Sequence, residues 1–244
     1  MSDKPYYLAY ENRYKIVHEA GGDGWGHNAN DKELTAVLTN WVNENNLQGK
    51  KIIEFACGEG ACGVILSKLG VIYHGVDIAP SAIEKSKNAL KDYPQATVSL
   101  FDMVNENMDG VYDAALDVSG FHMLVLDSHR IKYLKNAYSC LRSNAPMLFI
   151  NQMYNQSIYD GKVESFEQWL EVSGNDYETL NKRYVQSNGK DIEVYIPNVP
   201  GRGNTENGYK SEMITAGFTI DKLIEHLLYG VQQPNFASIY VHKP

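Results

Sequence analysis

Residues 54–63, EFACGEGACG, carry Gly58, Gly60 and Gly63 at the G-x-G-x-x-G spacing of a turn that lets backbone and a helix N-terminus approach a nucleotide-like ligand. Asp77 follows Gly58 by nineteen residues, at the end of a second apolar run, where a carboxylate accepts both hydroxyl protons of a ribose. Glycine spacing and one acid fit a nicotinamide dinucleotide as well as an adenosyl ligand without phosphate. Charge separates the two. A pyrophosphate at this turn would meet Glu54 and Glu59, and like charges a few ångströms apart cost on the order of several kcal/mol at an intermediate dielectric. A ligand carrying cations and no phosphate is tolerated or attracted. If Glu59 instead points to solvent, as loop side chains often do, its charge decides nothing.

The elements that would hold this turn follow from the pattern between Lys50 and Ile150. KIIEFA reads as a short strand, ACGVILSKLG as a helix stopped by Gly70, and VIYHGVDI as a second strand. Pro80 opens a helix that carries Ile83, Ser86, Ala89 and Leu90 on one face. ATVSLFD and YDAALDV follow as strands, SHRIKYLKNAYSCL as a helix with Ile131, Leu134, Tyr138 and Leu141 inward, and PMLFINQ as a fifth strand. Strands alternating with helices imply right-handed crossovers and a mostly parallel sheet.

Two regions break that rhythm. Residues 1–49 read as a helical cap, with Asp31 as an N-cap and Leu34, Val37, Leu38, Trp41 and Val42 as a buried stripe. Residues 155–207 read as an inserted lid, because RYVQSNGKDIEVYIP places two alternating runs around Asn188-Gly189, the strongest short hairpin signal. The main domain is then 50–154 with 208–244. The insertion leaves the sheet on its ligand side, which suits a lid that selects the second substrate. A dimerisation arm is the alternative, since exposed hairpin edges pair readily with a second copy.

Composition narrows the function. The 244 residues are 43% hydrophobic, enough to bury a core, and 22 basic against 30 acidic side chains leave a net charge of -8. That balance disfavours counterion-release binding to nucleic acid. The N-terminus has no apolar signal region and no run reaches eighteen apolar residues, so no membrane partner and a cytoplasmic location are expected. Cys57, Cys62 and Cys140 are an odd count without matching histidines, which reads as structural thiols and no metal site.

IIEFACGEG resembles the first motif of class I S-adenosylmethionine-dependent methyltransferases, and further matches come in order: YHGVDIAPSAIEKSKNA is similar to the ribose segment, VSLFDM to the adenine segment, and YDAALDVSGFHML to the strand facing the acceptor. The resemblance is dense over residues 50–150. It implies an α/β fold with a seven-stranded, mostly parallel, doubly wound sheet, and S-adenosylmethionine as cofactor. Glu54, Ala56, Cys57, Gly58 and Gly60 would frame the methionine end. Asp77 would hold the ribose, Ile78 would cover adenine, Asp102 and Met103 would meet its amine and ring, and Asp117 and Val118 would border the transferred methyl. Ala56 departs from the usual first glycine, and its methyl narrows the room there. Asp102 has an alternative as a turn residue.

Methyl transfer is an in-line displacement, so alignment and exclusion of water come first, and only a hydroxyl acceptor requires a base. His122, just past the fourth strand, and His27, in GGDGWGHN, are the base candidates; a packed or capping histidine is the alternative for His122. Trp25 would close over the cofactor with that Gly-rich segment, and Arg13 would pair with the cofactor carboxylate. No Asn/Asp-Pro-Pro-aromatic tetrad follows the fourth strand, which with the acidic charge points to N- or O-methylation of a small-molecule or peptide-derived acceptor. Tyr6, Tyr7, Tyr10, Tyr14, Trp169, Tyr184 and Tyr195 are candidate walls of its pocket. A non-catalytic S-adenosylmethionine-binding module and a nucleotide-dependent oxidoreductase remain the competing readings.

Overall fold

The computed structural model describes residues 5–154, 162–174, 176–226 and 236–244. Its centre is a sheet built from β1 (Lys51–Phe55), β2 (Ile72–Asp77), β3 (Ala96–Leu100), β4 (Ala114–Val118) and β5 (Pro146–Met153), with β6 (Leu180–Ser187) and β7 (Lys190–Pro197) forming a separate hairpin, and β8 (Thr219–His226) and β9 (Phe236–His242) closing the sheet. The seven strands of the sheet lie in the order β3-β2-β1-β4-β5-β9-β8. The first five are parallel and β9 runs against both its neighbours. Strand order reverses between β1 and β4, which opens a crevice beyond their carboxyl ends.

Alternation along β1 feeds two cores. Ile52 packs with Leu38, Trp41, Leu66 and Ile83 on one face, while Ile53 and Phe55 pack with Tyr133, Leu134, Tyr209 and Met213 on the other. The first face is covered by α2 (Lys32–Glu44), α3 (Ala61–Lys68) and α4 (Pro80–Ala89), the second by α5 (Asp127–Ser139) and α7 (Glu206–Ala216). Asp31 caps α2, accepting from Glu33 N and Leu34 N at 3.0 and 3.1 Å. Two inward faces differ from expectation by part of a turn. On α4, Ala82 is buried and Ala89 exposed; on α5, Tyr133, Leu134 and Ala137 point inward while Ile131 and Tyr138 sit at the edge.

The hairpin turns through Asn188 at φ 50° and Gly189 at φ 76°, the left-handed pair that a two-residue turn matched to strand twist demands. Val185, Val194 and Ile196 pack on Val17 of α1 (Ala9–Glu19). Side chains alternate across a strand, so Tyr184 and Tyr195 face away, 63% and 55% exposed, and are not pocket walls. Trp169, on α6 (Phe166–Ser173), is also no wall: it is buried with Val125 and Val163. Of the expected insertion, residues 155–161 and 175 lie outside the described residues, as do the last two residues of TIDKLIEHLL. Among the described residues no helix is long and apolar enough to cross a membrane, and no group of His, Cys, Asp and Glu is placed to hold a metal ion.

Candidate active site

A cleft opens at the carboxyl ends of β1, β2 and β3, lined by Ala56, Asp77, Ile78, Asp102 and Met103, by the β4–α5 turn at Met123 and Leu124, and by Tyr7, Tyr10 and Tyr14. Among the described residues, no lysine or arginine lines it. Its floor is the turn after β1, where Ala56, Gly58 and Gly60 have φ of 54°, 52° and 85°. A left-handed alanine costs about 1–2 kcal/mol that glycine does not. The neighbouring turn accommodates it, because a Cβ added at Gly120 would lie 2.5 Å from the Ala56 Cβ. The Ala56 methyl thus takes the space that glycine at 120 leaves free.

Asp77 is the acid at the tip of β2. Its Oδ2 accepts Gly58 N and its Oδ1 accepts Ala79 N, both at 2.8 Å. These bonds fix the carboxylate against the glycine turn; burial pushes its pKa up and the backbone donors pull it down. Asp102, after β3, is a turn residue and also lines the cleft. It closes a turn by accepting Val104 N at 2.9 Å and Asn105 N at 3.1 Å, and it receives the Tyr7 hydroxyl at 3.0 Å. Ile78 and Met103 are half-buried walls.

Several expected site residues lie elsewhere. Glu54 does not line the cleft: strand alternation turns it toward α3, where it is 1% exposed and receives the Tyr73 hydroxyl. Burial pushes its pKa up to about 8, so the carboxyl is neutral at pH 7 and presents no charge to a ligand. Cys57 is a buried core residue, its thiol pushed up by burial, and only its backbone belongs to the turn. Asp117 is sealed. Its carboxylate accepts Gly120 N at 2.8 Å, Phe121 N at 3.0 Å, Gln152 Nε2 at 2.9 Å and the Tyr133 hydroxyl at 2.6 Å, and it shapes the β4 turn from beneath. Val118 points into the core with Leu148 and Ile150.

His122 is buried next to the Phe236 ring of β9. Its backbone N–H donates to Gln152 Oε1 at 3.0 Å and its carbonyl accepts Arg202 N at 2.7 Å, while Nδ1 is buried without a hydrogen-bond partner among the described residues. Burial lowers the ring to about 4, leaving it neutral at pH 7. The ring does not line the cleft. His27 sits half-buried under the influence of Asp31 at the α2 cap, likewise outside it. Arg13 donates through Nε to the Pro197 carbonyl at 2.9 Å and lies 5.3 Å from the Trp25 ring centroid, so both serve the junction of α1 with the hairpin instead of the cleft. Glu59 does not point freely into solvent: its Oε2 accepts the Trp25 backbone N–H at 2.6 Å and its Oε1 meets His18 Nε2 at 2.7 Å.

Residues 53–147 match the family model described as a methyltransferase domain. An S-adenosylmethionine-dependent methyltransferase from Clostridium acetobutylicum superposes with a TM-score of 0.63 at 13% identity, over 97% of this chain and 98% of that one. The S-adenosylmethionine-bound amino pentose methyltransferase CalS10 of Micromonospora echinaspora gives 0.65 at 12%, over the whole of both chains. The chain has the fold of class I, Rossmann-like S-adenosylmethionine-dependent methyltransferases, and its residues 53–147 match a methyltransferase domain. Ribosomal protein L11 methyltransferase of Aeromonas hydrophila is 26% identical over 148 residues, 57% of this chain and 50% of its own. The chain spans half or less of the curated relatives it matches.

Residues of this methyltransferase domain that the sequence did not single out are those that set the β4–α5 turn. Arg130, 1% exposed, grips Glu212 through Nε at 2.6 Å and Nη2 at 2.8 Å, and donates from Nη1 to the Leu124 carbonyl at 2.9 Å. Gln152 joins Asp117 to His122. Gln152 had a legible signal, a polar side chain inside an apolar strand that has to find hydrogen bonds once buried.

Proposed function

We propose that this chain transfers a methyl group from S-adenosylmethionine to a neutral amine on a small-molecule or peptide-derived acceptor. The cleft carries the reading: it offers carboxylates beyond β2 and β3, apolar walls between them and, among the described residues, no basic side chain. That donor set fits an adenosyl group with a sulfonium and an ammonium, and it offers nothing to neutralise a pyrophosphate. When bound, S-adenosylmethionine supplies a methyl group on a positively charged sulfur.

The chain's own groups bind, orient and exclude water. A carboxylate has about four acceptor sites, and Asp77 uses two of them on backbone N–H groups, which leaves capacity for ribose hydroxyls. Ile78 and Met103 would flank adenine, whose amine would reach Asp102 by displacing one of the donors that it holds, the Tyr7 hydroxyl or Asn105 Nδ2. Ala56, Gly58 and Gly60 would meet the methionine end through their backbone. Tyr7, Tyr10, Tyr14, Met123 and Leu124 keep water from the cleft. An amine needs only to be unprotonated when it attacks, whereas a hydroxyl needs a base, and His122, whose ring faces β9, is not placed in the cleft to serve as one. The whole-chain likeness to an amino pentose methyltransferase supports the same choice; the ribosomal-protein relatives share only part of their length.

Incubation with methyl-labelled S-adenosylmethionine and matched panels of amines and alcohols, amino sugars and short peptides included, tests this. Label should enter amines, with the rate rising as pH approaches the amine's pKa. Transfer confined to hydroxyls would contradict it.

A further inference from the structure

The helix α1 and the β6–β7 hairpin form one body. Val17, Val185, Val194 and Ile196 make an apolar cluster of their own, apart from the two that cover the sheet, and Arg13 ties the helix to Pro197. Before α1, Tyr7 is anchored in the main core. Beyond it, the Tyr10 and Tyr14 rings of α1 line the cleft beside Ala56 and Asp77, and the body also meets the sheet through polar contacts. Glu11 accepts from Ser81 N at 3.1 Å and Ser81 Oγ at 2.7 Å at the start of α4, and Lys85 Nζ donates to the Asp23 carbonyl at 2.5 Å. A further polar contact comes from the glycine turn itself, where Glu59, between Gly58 and Gly60, holds the Trp25 N–H and His18.

We propose that Glu59 is a positioning residue that latches this helix–hairpin body onto the glycine turn and so sets how long a bound cofactor is retained. The proposal rests on reading the cleft as the S-adenosylmethionine site. Apolar packing keeps the body intact as a unit, whereas polar contacts to the sheet exchange with water at small net cost, which lets the unit lift without unfolding. The Glu59 side chain is 12% exposed, so its bonds form in a partly desolvated place where a carboxylate acceptor is strong. Gly24 makes the approach possible: a Cβ there would stand 2.7 Å from Glu59 Oε2. Glu59 and the Gly-rich segment before α2 thus have a common role. A carboxylate between two glycines of the turn serves the lid and not the ligand's charge.

Two variants break the latch from opposite sides. Glu59→Ala removes the acceptor; Gly24→Ala pushes it aside, and because the atom displaced is the end of a flexible side chain, the fold is spared. Hydrogen exchange of the Trp25 amide in ligand-free protein and the dissociation rate of S-adenosylhomocysteine are both read. Each variant should speed both by about tenfold or more, and Glu59→Gln, which keeps an acceptor oxygen, should recover part of each. Faster Trp25 exchange with unchanged dissociation, or unchanged exchange in both alanine variants, would overturn the latch. A wild-type protein that binds no S-adenosylhomocysteine would instead overturn the cofactor reading beneath it.

Discussion

The strands on either side of β1 both carry an aspartate near the tip, Asp77 as the last residue of β2 and Asp117 as the last but one of β4, and the two turns that follow use it in opposite ways. At the β2 turn, Asp77 receives two backbone N–H groups and lines the cleft. At the β4 turn, Asp117 receives four donors, is fully buried and lines nothing. Residue type is the same, but Asp117 shares the register of Val76, one residue before Asp77, and alternation turns the two side chains to opposite faces, so residue type alone does not identify a ligand contact. What also separates them is the number of acceptor sites left over after the chain has satisfied its own donors. One aspartate is a site; the other is scaffolding for a turn.

The largest effect that would sharpen this contrast is on stability. Asp117→Ala would strand two backbone N–H groups, the Tyr133 hydroxyl and the Gln152 amide in the core, and each buried unsatisfied group costs about 1–3 kcal/mol. Urea unfolding should record a loss of roughly 4 kcal/mol or more. A loss under about 1 kcal/mol would mean that the turn rearranges freely and the contrast is false.

Glu54 on β1 supplies a pH-dependent test between the two. Its folded pKa lies at about 8 because of burial, while its unfolded carboxyl titrates near the ordinary value of 4.5. Above pH 4.5 the unfolded chain releases this proton and the folded chain keeps it, so stability falls as pH rises to 8 and levels off beyond. Glu54→Gln removes that dependence. Relative to wild type the variant should gain roughly a few kcal/mol between pH 5 and pH 8.5 in paired urea titrations. Parallel curves would place an ionised carboxylate beneath the turn and restore the charge argument that the geometry withdraws.

A smaller effect belongs to Asp77, where charge-assisted bonds to ribose hydroxyls are worth about 1.5–3 kcal/mol each. Asp77→Ala should weaken S-adenosylhomocysteine binding about tenfold or more in calorimetry. Unchanged affinity would show that the ribose is held elsewhere. Smallest of all, Tyr184→Ala and Tyr195→Ala on the outer hairpin face should leave affinity within about twofold, as exposed side chains away from a site do.

The parallel core was legible because each of its elements has a local signature: glycines where the turn is left-handed, Pro80 at a helix start, Asn188-Gly189 at the hairpin. Asp77, Ile78, Asp102 and Met103 were legible for the same reason, since a residue at a strand tip is placed by the strand. The directions of side chains within one element were not. Glu54 and Asp117 carry the right residue type at the right position, yet alternation and neighbouring donors from distant segments, Tyr73 for one and Tyr133 with Gln152 for the other, decide where the carboxyl goes. Arg13 and Trp25, expected at the cofactor, and Glu59, expected to set the charge of the turn, lie outside the cleft lining for a related reason. Their partners lie on the hairpin, in the segment before α2 and on α1, and only the packing of Val17 on that hairpin brings these together.

The measurement closest to the central claim is calorimetric titration of the wild-type protein with S-adenosylhomocysteine and, separately, with NAD. A cleft with free acceptor capacity on Asp77, an apolar adenine slot and no basic residue predicts saturable binding of S-adenosylhomocysteine and no heat from NAD. Tight NAD binding with no response to S-adenosylhomocysteine would contradict the account.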